Sequence, residues 1–145
     1  MLTKEEIKKT VKIAKSFREN AFVPRSGHKV GACVLTVGGE YFGGCNIESV
    51  VSGEGACAEK VAINNAAANG KYEFRALAVV DQEQIFPCGS CLQYLLQFYQ
   101  INNQDIPIVI ADVQGNYQIK NLKEFLPYGY ISKALSEKLK KYHRA

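Results

Sequence analysis

Three of the five cysteines in the chain fall in two short segments, Cys57-Ala58-Glu59 and Pro87-Cys88-Gly89-Ser90-Cys91. Two thiolates separated by two residues can reach one tetrahedral ion. A third from elsewhere in the chain leaves the fourth position open for water, which is the pattern of a catalytic rather than a structural Zn²⁺ site. Each segment is a weak signal alone. Both lie where helices should begin, so unsatisfied N–H groups and the helix dipole favour the thiolate forms of Cys57, Cys88 and Cys91. Glu59, two residues beyond a ligand, can face that water without binding the metal and so move protons. Three thiolates leave net negative charge on the ion, and Lys60, the next residue, is a candidate to offset it together with the helix amides.

The alternatives use fewer of these residues. A thiol redox protein would employ Cys88 and Cys91 as a dithiol and leave Cys57 incidental, with no task for Glu59. A structural zinc site would recruit a fourth protein ligand. Cys33 and Cys45 stand in apolar strand contexts and read as buried free thiols. His143, among Lys140, Lys141, Tyr142 and Arg144, reads as a solvated helix end.

The elements that must position these side chains follow from periodicity. Thr3 to Asn20 carries Ile7, Val11, Ala14 and Phe17 at helical spacing, with Thr3 and Glu6 as a capping box and Pro24, Ser26 and Gly27 closing it in a loop. Lys29 to Val37 and Glu40 to Cys45 form a hairpin around Gly38-Gly39, both expected at positive φ. Ala56 to Asn69 is a buried helix stopped by Gly70. Phe74 to Val80 is a buried strand, Gly89 to Tyr99 a helix and Ile106 to Asp112 another strand, a sequence that implies a parallel crossover. A turn at Gln114-Gly115-Asn116 leads to a short strand ending near Ile119, a short helix near Leu122 and a basic C-terminal helix from Ser132. The expected fold is a single α/β domain over residues 1–145, three layers (α/β/α) around a mixed five-stranded sheet.

Bulk properties narrow the function classes. A chain of 145 residues with 47% hydrophobic and 22% charged residues has ordinary globular composition. There is no run of eighteen apolar residues, and Met1 to Ile7 is charged and helix-like, so no membrane partner and a cytoplasmic location are expected. The net charge of +4 is modest, and part of it lies in Lys133 to Arg144 rather than in basic patches interleaved with aromatics, so no nucleic-acid partner is expected.

Cys57-Ala58-Glu59 with Pro87-Cys88-x-x-Cys91 is similar to the zinc deaminase signature in its three-cysteine form. The ordered set Val30-Gly31-Ala32, Gly44-Cys45-Asn46-Ile47-Glu48, Cys57-Ala58-Glu59, Pro87-Cys88-Gly89 and Leu126-Pro127 resembles the small homotetrameric cytidine deaminases over nearly the whole chain. The resemblance implies zinc on the three cysteines, Glu59 as general acid and base, and deamination of cytidine and deoxycytidine in pyrimidine salvage. It further implies that Asn46 and Glu48 hold the ribose hydroxyls and that Tyr130 is contributed across a subunit interface of a homotetramer; Ala58 and, standing where the family has its stacking aromatic, His28 are further candidates for substrate contact. Two departures stand out. Pro24-Arg25-Ser26-Gly27-His28 replaces a Pro-Tyr-Ser segment preceding an aromatic that packs on the pyrimidine, and Lys60 and Leu92 replace arginines. Blasticidin S deaminases, a sister group, share the zinc motif and a late tyrosine. Glu48 ranks cytidine ahead of such an antibiotic, whose sugar lacks a ribose diol.

Overall fold

The N-terminal helix α1 (Lys4–Arg18) begins as its capping box requires: Glu6 N–H donates to Thr3 Oγ1 at 3.1 Å and Thr3 N–H to Glu6 Oε1 at 2.9 Å. Its buried stripe is Ile7, Thr10, Val11 and Ala14, with the Thr10 hydroxyl donating to the Glu6 carbonyl. The computed structural model describes residues 1–144.

Strands β1 (Gly31–Thr36) and β2 (Tyr41–Cys45) form the expected hairpin. Its loop is Val37-Gly38-Gly39, in which only Gly39 takes positive φ (90°). Thr36 O accepts from Gly39 N–H and the Thr36 amide donates to Glu40 O. Both bonds belong to a three-residue loop with one left-handed residue, so Gly38 needs no positive φ.

Helix α2 (Ala58–Ala68) ends before Gly70, at φ 76°. Then follow β3 (Phe74–Asp81), α3 (Gly89–Asn102), β4 (Pro107–Asp112), β5 (Tyr117–Asn121), α4 (Leu122–Phe125) and α5 (Ser136–Lys140). Helix α3 outruns its expected end at Tyr99 because Asn103 provides a left-handed cap at φ 57°, a conformation asparagine tolerates. The C-terminal helix starts at Ser136 rather than Ser132, whose hydroxyl instead accepts from the Leu135 amide at 3.2 Å.

The five strands form one mixed sheet in the order β2-β1-β3-β4-β5. Its one parallel pair is β3 with β4, bridged by α3. Helix α1 covers one face through Ile7, Val11 and Ala14 against Cys33, Ala78, Val80 and Val109. Helices α2 and α3 cover the other through Ala62, Ile63, Leu95 and Leu96 against Val34, Leu77 and Ile108. Helix α2 lies hard on the sheet at Gly44, where an added Cβ would sit 2.4 Å from the Ala62 amide nitrogen. No helix among the described residues is long and apolar enough to cross a membrane.

His143 and Arg144 are exposed, as expected, but they are also anchored. His143 Nδ1 and the Arg144 amide both reach the buried carboxylate of Glu73, which Asn102 Nδ2 also contacts.

Candidate active site

Cys57 is the N-cap of α2 and Cys88 the N-cap of α3. Both have extended backbone (φ −70°, ψ 154°; φ −71°, ψ 161°), and neither side chain caps its own helix. The thiols are therefore free to converge. Cys91 joins them from the first turn of α3, and the three Sγ atoms all lie within 4.8 Å of one another, Cys88 and Cys91 at 3.5 Å. Bonds of about 2.3 Å in a tetrahedron put sulfurs about 3.8 Å apart, so the trio fits one zinc ion with small side-chain adjustments. Among the described residues no fourth cysteine, histidine or carboxylate joins the group. Cys33 and Cys45 stay buried apart from it, and burial pushes the Cys33 thiol up to about 12.

The thiols share their protons unequally. The pKa of Cys57 is lowered to about 6, first by the hydrogen bond with Cys91 and then by Cys88 and the positive charge of Lys60, against the opposing effect of burial. The same bond with Cys57 raises Cys91, and burial and the charge of Glu59 raise it further. Lys60 acts from a distance: its ammonium donates to Ser90 Oγ at 2.7 Å and lies over the Tyr94 ring, tying the start of α2 to the start of α3.

Glu59 is only 5% exposed. Burial pushes its carboxyl above the usual range, and the negative charge of Cys57 adds to this. It opens on a cleft of about 200 Å³ lined also by His28, Val30, Asn46, Cys57, Ala58, Phe86 and Cys88. A second cavity of about 340 Å³ shares Asn46 and Cys57 with the first and adds Arg25 and Glu48.

The remaining candidates are distributed unequally. The Asn46 amide is engaged at both ends, Oδ1 accepting from the Val30 amide at 2.9 Å and Nδ2 donating to His28 O at 2.8 Å, so it shapes the 28–30 segment. Glu48 accepts from the amides of Arg25 and Ser26 and from the Ser26 hydroxyl, and these bonds, the hydroxyl first, lower its pKa. The Ala58 methyl is in the core, so what it offers the cleft is backbone at a helix N-terminus. His28 lines the cleft and is exposed. Tyr130 is not brought to this cleft: 72% exposed, its main chain is clamped by Gln93 through bonds of 3.0 and 2.7 Å beside a different groove.

Sequence reasoning missed Asp81, Ile85 and Phe86. Asp81 is 2% exposed and accepts from the amides of Glu83 and Ile85. An aspartate closing an apolar strand is the available signal for such a turn. Nothing local marks Ile85 and Phe86 as lining a cleft.

Residues 4–104 match the family model described as the cytidine and deoxycytidylate deaminase zinc-binding region. The chain belongs to the cytidine deaminase family. Cys57, Cys88 and Cys91 are its zinc ligands. The cytidine deaminase of Sporosarcina psychrophila is 32% identical over 133 residues, covering 90% of this chain and 96% of that one. The crystal structure of the cytidine deaminase from Burkholderia pseudomallei superposes with a TM-score of 0.79 at 33% identity, over 89% of this chain and all of that one. The blasticidin-S deaminase of Bacillus cereus is more distant, 25% identical over 71% of this chain and 77% of its own.

Proposed function

We propose that this cytidine deaminase family member hydrolyses cytidine and 2′-deoxycytidine to uridine and 2′-deoxyuridine, releasing ammonia. The observation that carries the reading is Glu59, a buried carboxyl on the same cleft as three thiols suited to one zinc ion. Zinc, when bound, supplies a Lewis acid that makes water acidic enough to attack near neutral pH. Glu59 takes a proton from the water whose oxygen adds to C4 of the base and hands it to N3. It then carries the second proton of that water to the 4-amino group, which leaves as ammonia while the C4 carbonyl forms. Its burial supports this exchange, because burial pushes the carboxyl above its ordinary value and so makes it a better proton acceptor than a free glutamate.

Asn46 and Glu48 line the larger cavity, and an amide and a carboxylate suit the two hydroxyls of a ribose. His28 sits at the base end, where an aromatic ring can pack on a pyrimidine. Exposed apolar side chains at Ile47, Val50, Val51, Tyr128, Tyr130 and Ile131 support burial in an oligomer. The protein is then a cytoplasmic homotetramer in which Tyr130 serves a neighbouring subunit, and a monomer mass in light scattering would contradict the tetramer. A second reading, an antibiotic such as blasticidin S as substrate, has the more distant relative and the departure at Arg25 to His28 in its favour. Ammonia release by zinc-assayed protein, given cytidine, deoxycytidine, cytosine, CMP and blasticidin S in parallel, tests both. Turnover of cytidine is the expected result. Turnover of blasticidin S alone would replace the first reading by the second, and absence of zinc would overturn both.

A further inference from the structure

At the base end of the cleft one charged contact has no role in the scheme above. Asp81 ends β3, and its Oδ1 accepts from the amides of Glu83 and Ile85, both at 2.9 Å. Its other oxygen, Oδ2, lies 3.7 Å from His28 Nε2. A buried carboxylate is costly unless hydrogen-bonded and paired, and these are its three partners among the described residues. The two amide bonds fix the carboxylate, so its free oxygen is a stationary acceptor.

His28 complements this arrangement. Its backbone is fixed, N–H donating to Ser26 Oγ at 3.0 Å and C=O accepting from Asn46 Nδ2 at 2.8 Å. Its ring is half exposed, and among the described residues its one ion-pair contact is with Asp81. A ring with two free torsions and one side in water holds a single orientation only if something directional holds it. The Asp81 carboxylate can do so: at 3.7 Å from Nε2 it lies beyond hydrogen-bond length, but it is a fixed group that draws that edge of the ring to one side of the cleft. The same carboxylate shapes the turn that carries Ile85 and Phe86, two more residues of the cleft wall, past Gln84 at φ 59°. Two sides of the base cleft therefore meet at one buried side chain.

We propose that Asp81 is a positioning residue for substrate specificity: through His28 it holds the imidazole against the base end of the cleft and so sets how tightly a heterocycle is bound. The proposal rests on the cytidine deaminase reading for its substrate, but its geometry can be tested without one. Asp81→Asn keeps the size and the oxygen that accepts from the two amides while replacing the charged oxygen facing His28. His28→Phe supplies a ring that needs no polar partner.

The experiment compares wild type, Asp81→Asn, His28→Phe and the double variant, each checked for zinc content. Asp81→Asn alone should raise the KM for cytidine about tenfold, the lower end of the cost of losing a partner that orients a metal-ligating histidine, with kcat within about twofold. On the His28→Phe background the same substitution should be silent, because the side chain through which Asp81 acts is gone. An equal cost on both backgrounds would mean that Asp81 serves only the turn, and no cost on either would mean that it does not position the ring; both outcomes overturn the proposal. Crystal structures of wild type and Asp81→Asn give an arm free of turnover. A displaced His28 ring supports the proposal and an unmoved ring overturns it, even if cytidine proves not to be the substrate.

Discussion

A carboxyl that must gain and lose protons within one catalytic cycle needs a pKa near the working pH and a position fixed relative to the reacting atoms. Glu59 meets the second demand by being the second residue of a helix whose N-cap is itself a zinc ligand. Glu59→Gln keeps the shape and removes the exchange, so kcat should fall by about 10²–10⁴ while zinc stays bound, as ammonia release and metal analysis on one preparation would show. Cys88→Ser should give the opposite division, losing zinc and activity together, whereas Cys33→Ala should retain stoichiometric zinc because Cys33 lies in the core beneath α1. The residues legible in the sequence were those whose chemistry depends on short spacing: Cys57 with Glu59, and Cys88 with Cys91. Asp81 was not, because its partner His28 lies on a distant loop and the contact exists only once β3 and that loop are side by side. Asn46 and Glu48 were legible as polar groups of the right kind, but not as the hydrogen-bonding supports of the 25–30 loop that their bonds make them.

Among the elements, the starts of α2 and α3 matter most, since every thiol stands on one of them. What brings α2 to its place is the missing side chain at Gly44, because a Cβ there would meet the backbone of Val61 and Ala62 below 3 Å. Backbone cannot yield as a side-chain tip can, so Gly44→Ala should destabilise the fold by about 1–3 kcal/mol or more. It should also weaken zinc binding, because the displaced helix carries Cys57. Gly39→Ala is the control: nothing lies within 4 Å of its Cβ, but φ is 90°. Its cost should be about 1 kcal/mol of backbone strain with zinc affinity unchanged; thermal melts and competition with a chelator would separate the two. Most elements could be read from periodicity, capping and turn residues, and the buried β3 and β4 with α3 between them gave the parallel crossover. The extra turn of α3 could not, since whether Asn103 adopts the left-handed cap depends on the packing around it. The basic C-terminal segment reads as one helix from Ser132, but residues before Ser136 bond to α3 instead of continuing a helix.

Over the whole molecule, that C-terminal segment runs along α3 and is fixed at intervals: Gln93 bonds the main chain of Tyr130, Gln100 bonds Ser132 O, and Tyr142 packs edge-on against Tyr72. It ends on Glu73, 4% exposed, which accepts from the Arg144 amide, His143 and Asn102. Burial alone would raise the Glu73 pKa, but these donors outweigh it and the net shift is downward. A carboxyl with a lowered folded pKa contributes stability that is complete above its unfolded pKa and is lost as pH falls through the folded value. Glu73→Gln should therefore melt below wild type at pH 7, by the about 1–3 kcal/mol associated with a disrupted buried hydrogen-bonding group, or several degrees for a chain of this size. The gap should narrow as pH falls from about 4.5, the ordinary glutamate value, through the folded pKa. Acid also releases zinc from thiolates, but both proteins carry the same three cysteines, so the difference between their melting curves isolates Glu73. A gap unchanged down to pH 3 would show that the carboxylate charge does not fasten the chain end, whereas a closing gap, with proteolysis near His143 appearing earlier in the variant at neutral pH, would show that it does.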